Sequence, residues 1–156
     1  MEFERAKDVA LRLLTVRDRS TAEIRRELGK RGAEPDVVDQ VVQRLTEVGL
    51  LDDAKFARSW VSSRQSGRSL SRSRLGHELG ERGVDAEAVQ EALAGAAGED
   101  FDTALDLARR RVRSMGGLGA DAMTRRLSGQ LARRGFSWSV VRPVVSQVVA
   151  EATGDE

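Results

Sequence analysis

Residues 20–38 read STAEIRRELGKRGAEPDVV, and the fold turns on this stretch. Its skeleton, Ile24-x-x-x-Leu28-x-x-Arg31-Gly32, recurs as Leu75-x-x-x-Leu79-x-x-Arg82-Gly83 and as Leu127-x-x-x-Leu131-x-x-Arg134-Gly135, at offsets of 51 and then 52 residues. The likeness continues past each glycine. Val38, Val89 and Val141 share one offset, Val41, Ala92 and Val144 a second, and Val42, Leu93 and Val145 a third. Self-similarity at a fixed period of this size marks repeated supersecondary units, each too small to bury its apolar faces alone.

Within each copy the pattern is helical. Apolar residues four apart lead to a glycine, the residue that most readily adopts the left-handed conformation after a helix end. Ser20-Thr21-Ala22-Glu23 reads as a capping box ahead of the first of these helices, and Ser71 stands in the matching place in the second. The third copy lacks this serine, which leaves Asp121 as its expected cap. Another helix is expected two residues after each glycine, with Glu34, Asp85 and Ser137 at the N-cap and Pro35 at N1. Its pairs Val37/Val38 and Val41/Val42, then Leu45 and Val48, follow a helical period. Pro143 lies beyond the first turn of the last such helix and is expected to kink it. A leading helix precedes each pair, with apolar stripes Phe3/Ala6/Ala10/Leu13/Leu14, Phe56/Ala57/Trp60/Val61 and Phe101/Ala104/Leu105/Ala108/Val112. The expected fold is all-α: three tandem three-helix repeats, about nine helices, at residues 1–51, 52–98 and 99–156, stacked as an elongated curved array.

Composition narrows the function. Without cysteine there are no disulfides, no thiolate catalysis and no cysteine-ligated zinc. His77 is the one histidine, at a polar helical position, and no metal or triad set surrounds it in the sequence. Gly116-Gly117-Leu118-Gly119 has neither a preceding strand nor a following lysine, so it reads as a connector and not as a phosphate loop. Asp52-Asp53 reads as a negative cap on the helix that carries Phe56 and Trp60. The expectation is a binding protein, not an enzyme, with no cofactor and no metal. No apolar run approaches ~18 residues, so no membrane span is expected. Met1-Glu2-Phe3-Glu4-Arg5 does not open a signal peptide, and a cytoplasmic monomer is expected.

Net charge is only +1, but the charges are segregated. Between Ala54 and His77 lie Lys55, Arg58, Arg64, Arg68, Arg72 and Arg74 with no acid, and between Leu107 and Gly135 eight arginines face the single acid Asp121. In each repeat the positive charge runs from the end of the leading helix through the middle helix. The candidate binding residues are Arg17, Arg19, Arg25 and Arg26, then Arg64, Arg68, Arg72 and Arg74, then Arg110, Arg111, Arg125, Arg126, Arg133 and Arg134. Such stripes suit a phosphate backbone or an acidic protein groove. No aromatics interleave with them, so base stacking is not expected.

Two stretches carry a family resemblance. The first is Ala10-Leu11-x-x-Leu14-x-x-Arg17-x-Arg19-Ser20-x-x-Glu23-Ile24. The second is Leu45-x-x-x-Gly49-Leu50-Leu51-Asp52-Asp53-x-x-Phe56-Ala57-x-x-Trp60-Val61-x-x-Arg64, followed by His77-Glu78-Leu79-x-x-x-Gly83-Val84. Over about residues 6–93 the chain resembles the RecX family, bacterial modulators of the RecA recombinase. That resemblance implies three three-helix units lodged in the helical groove of the RecA–DNA filament, blocking its extension and suppressing strand exchange, ATP hydrolysis and co-protease activity. It also implies weak, non-specific DNA binding. Arg17 and Arg64 fall at matching ends of successive leading helices and stand out as binding candidates. The competing reading from charge alone is a general DNA-binding module that grips phosphate through arginine.

Overall fold

The computed structural model describes residues 1–95 and 99–154. Among these residues are nine α-helices and no strand. The first triplet is α1 (Phe3–Val16), α2 (Thr21–Lys30) and α3 (Pro35–Glu47), and the second is α4 (Asp53–Arg68), α5 (Arg72–Glu81) and α6 (Ala86–Ala94). The third is α7 (Asp100–Val112), α8 (Ala120–Arg133) and α9 (Trp138–Thr153), with a 3-10 turn at Arg113–Met115. The repeat boundary expected at residue 98 lies outside the described residues.

Two compact units result. Met1–Trp60 with Glu78–Gly95 form the first, and residues 61–77 with 99–154 the second, so α4 and α5 each contribute to both. In the first unit, Ala6 and Ala10 of α1 pack with Ile24 and Leu28 of α2 and Val38, Val41, Val42 and Leu45 of α3. In the second, Ala104, Leu107 and Ala108 pack with Met123, Leu127 and Leu131 and with the valines of α9. The alanines, all fully buried, let helices approach closely without large rings. Two residues of the expected apolar stripes are displaced. Val48, at the C-cap of α3, is 51% exposed. Phe101 sits in the first turn of α7 and is 37% exposed, while Leu107, two turns on, takes its share of the core.

Side-chain caps mark the starts of α2, α4, α5 and α6. Ser20 Oγ accepts from Glu23 N–H at 3.2 Å and Glu23 Oε1 from Ser20 N–H at 3.1 Å, closing the capping box. Ser71, Asp85 and Asp52 accept in the same way from Arg74, Ala88 and Lys55 N–H. The third triplet differs. Lacking the serine, α8 begins a turn earlier, with Gly119 at its N-cap, so Asp121 lies inside the first turn and caps nothing. Met123 occupies the register of the two serines and is buried in the core. Pro143 removes one donor from α9, yet the helix runs through it from Trp138 to Thr153.

Each unit contains the same joint. In the first, Ser20 Oγ donates to the Arg82 carbonyl at 2.6 Å, and Thr21 N–H donates to Asp53 Oδ1 at 2.8 Å. In the second, Ser71 N–H donates to the Arg134 carbonyl at 3.1 Å, and Arg72 N–H donates to Asp100 Oδ1 at 2.9 Å. The start of a middle helix thus receives the carbonyl end of the next middle helix and a carboxylate from the next leading helix. Both place negative charge where a helix exposes unpaired N–H groups. Glycine makes the approach possible. A Cβ at Gly83 would lie 2.3 Å from Ala22 Cβ, and one at Gly135 would lie 2.6 Å from Ser71 Oγ, whereas Gly32 faces open space.

All three glycines also have positive φ, +89° at Gly32, +78° at Gly83 and +92° at Gly135. Gly32→Ala should therefore cost only the left-handed strain, about 1–2 kcal/mol. Gly83→Ala and Gly135→Ala should each cost roughly 1–3 kcal/mol more, because the methyl must displace the joint. Urea denaturation of the three variants measures the difference; equal losses would mean that the joint tolerates a side chain.

Candidate functional site

The candidate arginines divide by what surrounds them. In the first unit two of the four, Arg17 and Arg25, are neutralised. Arg17 Nη2 lies 2.9 Å from Glu23 Oε2, and Arg82 Nη1 reaches the same oxygen at 3.1 Å. Arg82 also stacks its guanidinium 4.2 Å from the centre of the Trp60 ring, whose Nε1 donates to Glu78 at 3.1 Å. Phe56 stacks on Trp60 with ring centres 5.9 Å apart. Arg25 pairs with Asp39 at 2.6 Å. Arg19 is half-buried, and Arg26 is exposed on α2. Arg17, singled out by its position at a helix end, is thus one jaw of a clamp on a nearly buried carboxylate. The other jaw, Arg82, was not among the candidates.

Glu23 registers this clamp. Burial alone would raise its pKa. The Arg17 hydrogen bond, the Ser20 N–H and the charges of Arg17 and Arg82 outweigh burial and hold it below the ordinary carboxylate value.

In the second unit Arg109 is paired with Glu151 at 2.8 Å, but four other arginines gather away from any carboxylate among the described residues. Arg68 ends α4, Arg110 and Arg111 lie on α7, and Arg134 follows α8. Arg134 Nη1 donates to the Arg68 carbonyl, and Arg110 Nη2 donates to Ser69 Oγ at 2.9 Å. Burial, then the charges of Arg111, Arg68 and Arg110, lower the Arg134 pKa, although a guanidinium stays protonated near neutral pH. Among the described residues none of these four has a carboxylate partner. The link beside them is unusual: Ser69, Leu70 and Ser71 are all buried, and Ser69 alone among the described non-glycine residues has a positive φ, +53°. For a residue with a Cβ that conformation is uncommon and marks a constrained position. The sequence flagged the arginines but not Ser69, since a serine before a cap carries no sign of left-handed geometry.

The other candidates lie around this core. Arg74 follows the Ser71 cap and packs its side chain beside Gly135. Arg64 and Arg72 are half-buried on α4 and α5. Arg125, Arg126 and Arg133 are exposed along α8. The structure thus assembles Arg68, Arg110, Arg111 and Arg134 into one cluster, and no metal-binding group occurs among the described residues. No helix there is long and apolar enough to cross a membrane. Planar guanidinium forks without carboxylates suit an anionic ligand that each can grip in bidentate fashion.

Comparison with known proteins agrees with the three-triplet architecture. Family models for the first, second and third three-helix domains of RecX match residues 6–45, 52–93 and 98–145. Regulatory protein RecX of Mycobacterium ulcerans (strain Agy99) is 45% identical over 151 residues, covering 95% of this chain and 87% of that protein. The Thermobifida fusca (strain YX) protein of the same name is 40% identical over 155 residues, covering 99% and 83%. The crystal structure of RecX from Lactobacillus salivarius superposes with a TM-score of 0.80 at 16% identity, covering 94% of this chain and 96% of that one. The chain belongs to the RecX family of regulatory proteins.

Two measurements probe the two arginine environments. Because the folded pKa of Glu23 lies below its unfolded value, its contribution to stability is complete above about pH 5 and is lost as pH falls through the folded pKa. Glu23→Gln should be less stable than the native chain at pH 7, and the gap should narrow below about pH 4; parallel stability curves would remove Glu23 from the account. For the cluster, phosphate should raise the thermal midpoint above chloride at matched ionic strength, and Arg110→Gln/Arg111→Gln should abolish the excess. An unchanged excess in the double variant would place the anion elsewhere.

Proposed function

We propose that this RecX-family chain is a negative regulator of the RecA recombinase. It binds the RecA–DNA filament in its helical groove and inhibits filament extension, strand exchange, ATP hydrolysis and co-protease activity. The observation that carries the reading is the Arg68/Arg110/Arg111/Arg134 cluster, positive charge held together with no carboxylate partner among the described residues. A filament groove offers what such a cluster lacks, phosphates and acidic side chains close together. The Glu23 clamp takes the opposite part: it uses its arginines to hold the fold, so the working charge lies in the second unit. On this reading the protein acts in the cytoplasm and needs no cofactor.

The same cluster favours one further reading, a general DNA-binding module. Four phosphate contacts would make binding to single strands fall with salt at a log–log slope of about −3. Trp60 is covered by Arg82, and the cluster itself holds no aromatic ring, so contacts made through these four arginines would be electrostatic and indifferent to sequence.

One titration separates the two. RecA's DNA-dependent ATPase should be inhibited by this protein at concentrations well below that of RecA. Charge reversal at Arg110 and Arg111 should weaken inhibition at least about tenfold, roughly a 1.4 kcal/mol loss of binding, while reversal at the ion-paired Arg25 changes it little. Inhibition that begins only when the protein saturates the DNA would favour simple competition for DNA.

A further inference from the structure

The first and third triplets overlay in register at an offset of 103 residues, which sets Ile24 on Leu127 and Gly32 on Gly135. Arg25 then falls on Ser128, and Asp39 falls on Arg142. In the first triplet, Arg25 and Asp39 form a 2.6 Å bridge that ties α2 to α3 across their seam. In the third that bridge is impossible: the acid has become an arginine and its partner a serine. The seam between α8 and α9 stands open as a cleft of about 450 Å³. It is lined on α8 by Ala120, Thr124 and Ser128, and on α9 chiefly by Trp138, Arg142 and Val149. Arg142 is the cleft's one charged side chain, exposed and without an ion pair among the described residues. Trp138 is 64% exposed.

The shape of the cleft selects its occupant. Ala120, Thr124 and Ser128 follow one another at i, i+4 spacing, so α8 presents a row of small side chains that another helix backbone can approach. The extra first turn of α8 supplies Ala120 and lengthens this wall. At ~1.5 Å per residue, the lining of α9 from Trp138 to Thr153 runs roughly 22 Å, four helical turns. An extended segment would turn unsatisfied backbone groups toward a mainly apolar lining, whereas a helix satisfies its own. Tryptophan and arginine are also the side chains that most often anchor protein interfaces. We propose that the α8/α9 cleft is a docking groove for an amphipathic helix of a partner protein, which lays an apolar side chain on Trp138 and a carboxylate on Arg142. That carboxylate restores, between two molecules, the bridge that Asp39 makes within the first triplet. The groove shares no residue with the arginine cluster, so either can fail without the other.

The probe is a labelled, acetylated helical peptide of about sixteen residues, some four turns, with leucines at i, i+3, i+4, i+7 spacing and glutamates flanking that face. It is titrated with the full chain and followed by fluorescence anisotropy. Saturable micromolar binding is expected, weakened at least about tenfold by Trp138→Ala and by Arg142→Glu. A peptide with lysines in place of its glutamates should bind the Arg142→Glu chain better than it binds the native one. That reversal cannot come from misfolding, and circular dichroism of the variants checks their helicity independently. The proposal is overturned if binding does not saturate by roughly 1 mM, or if both variants bind the peptide as the native chain does. It is overturned too if sedimentation shows the native chain associating with itself through this surface, with Arg142→Glu abolishing the association, since the occupant is then a second copy.

Discussion

Everything else in the structure depends on what happens at the start of a middle helix. A helix N-terminus leaves N–H groups unpaired and carries partial positive charge. At α2 and again at α5, those groups meet a carboxylate from the next leading helix, and the capping serine meets a carbonyl from the end of the next middle helix. These triplets are small, and their aliphatic cores hold few large rings. The joint gives each a polar, directional contact that fixes register where apolar burial alone would allow slippage. It also explains why glycine is kept at 83 and 135 for two reasons at once, a left-handed turn and contact with the neighbouring backbone, and at 32 for the first reason only.

Counting arginines says little about where the charge is available. Arg17, Arg82 and Arg25 stand beside carboxylates and stabilise local structure. Arg68, Arg110, Arg111 and Arg134 stand beside one another and lower the Arg134 pKa. Four guanidiniums held together repel, and burial of Arg134 reduces the screening by water. An arrangement of this kind raises the free energy of the empty site and lowers the cost of admitting an anion. In the Glu23 clamp the internal carboxylate has already taken that place, which is why the two environments call for different experiments.

How far the sequence could be read follows from the range of each interaction. Helix starts at Ser20, Asp52, Ser71 and Asp85 were legible, because a cap acts within three residues of itself; Glu34 and Ser137 hold the N-cap positions without a side-chain cap bond. The glycine ends were legible for the same reason. The start of α8 was not: with no serine to stop it, the chain adds a turn, and Met123 gains core packing that outweighs any cap Asp121 offered. Phe101 was misplaced because a stripe does not say where the helix ends, and side chains in an end turn face water. Among the site residues, the arginines were visible as a group, but their sorting into clamped and unclamped was not. Arg82 and Glu23 are far apart in the chain and meet only through the fold, and the left-handed Ser69 leaves no trace in residue type.

The third triplet shows how a repeat acquires a new surface without losing its core. Its buried positions follow the register closely: Leu127, Leu131, Val141, Val144 and Val145 match their counterparts in hydrophobicity and place. The changes fall on the seam outside that core, where Arg25 and Asp39 give way to Ser128 and Arg142. Losing an exposed ion pair costs a fold little, typically 0–1 kcal/mol, so such a seam can change while the packing beneath it stays fixed. What the exchange leaves behind is larger than what it removes. It leaves an open cleft, a largely exposed ring and an arginine without an ion pair among the described residues. Exposing a tryptophan of this size is unfavourable in water, by an amount that scales with its area at about 25 cal/mol per Å². The same area becomes favourable once another apolar surface covers it, and so burial that folding leaves unused in the triplet is what would draw a partner helix to it.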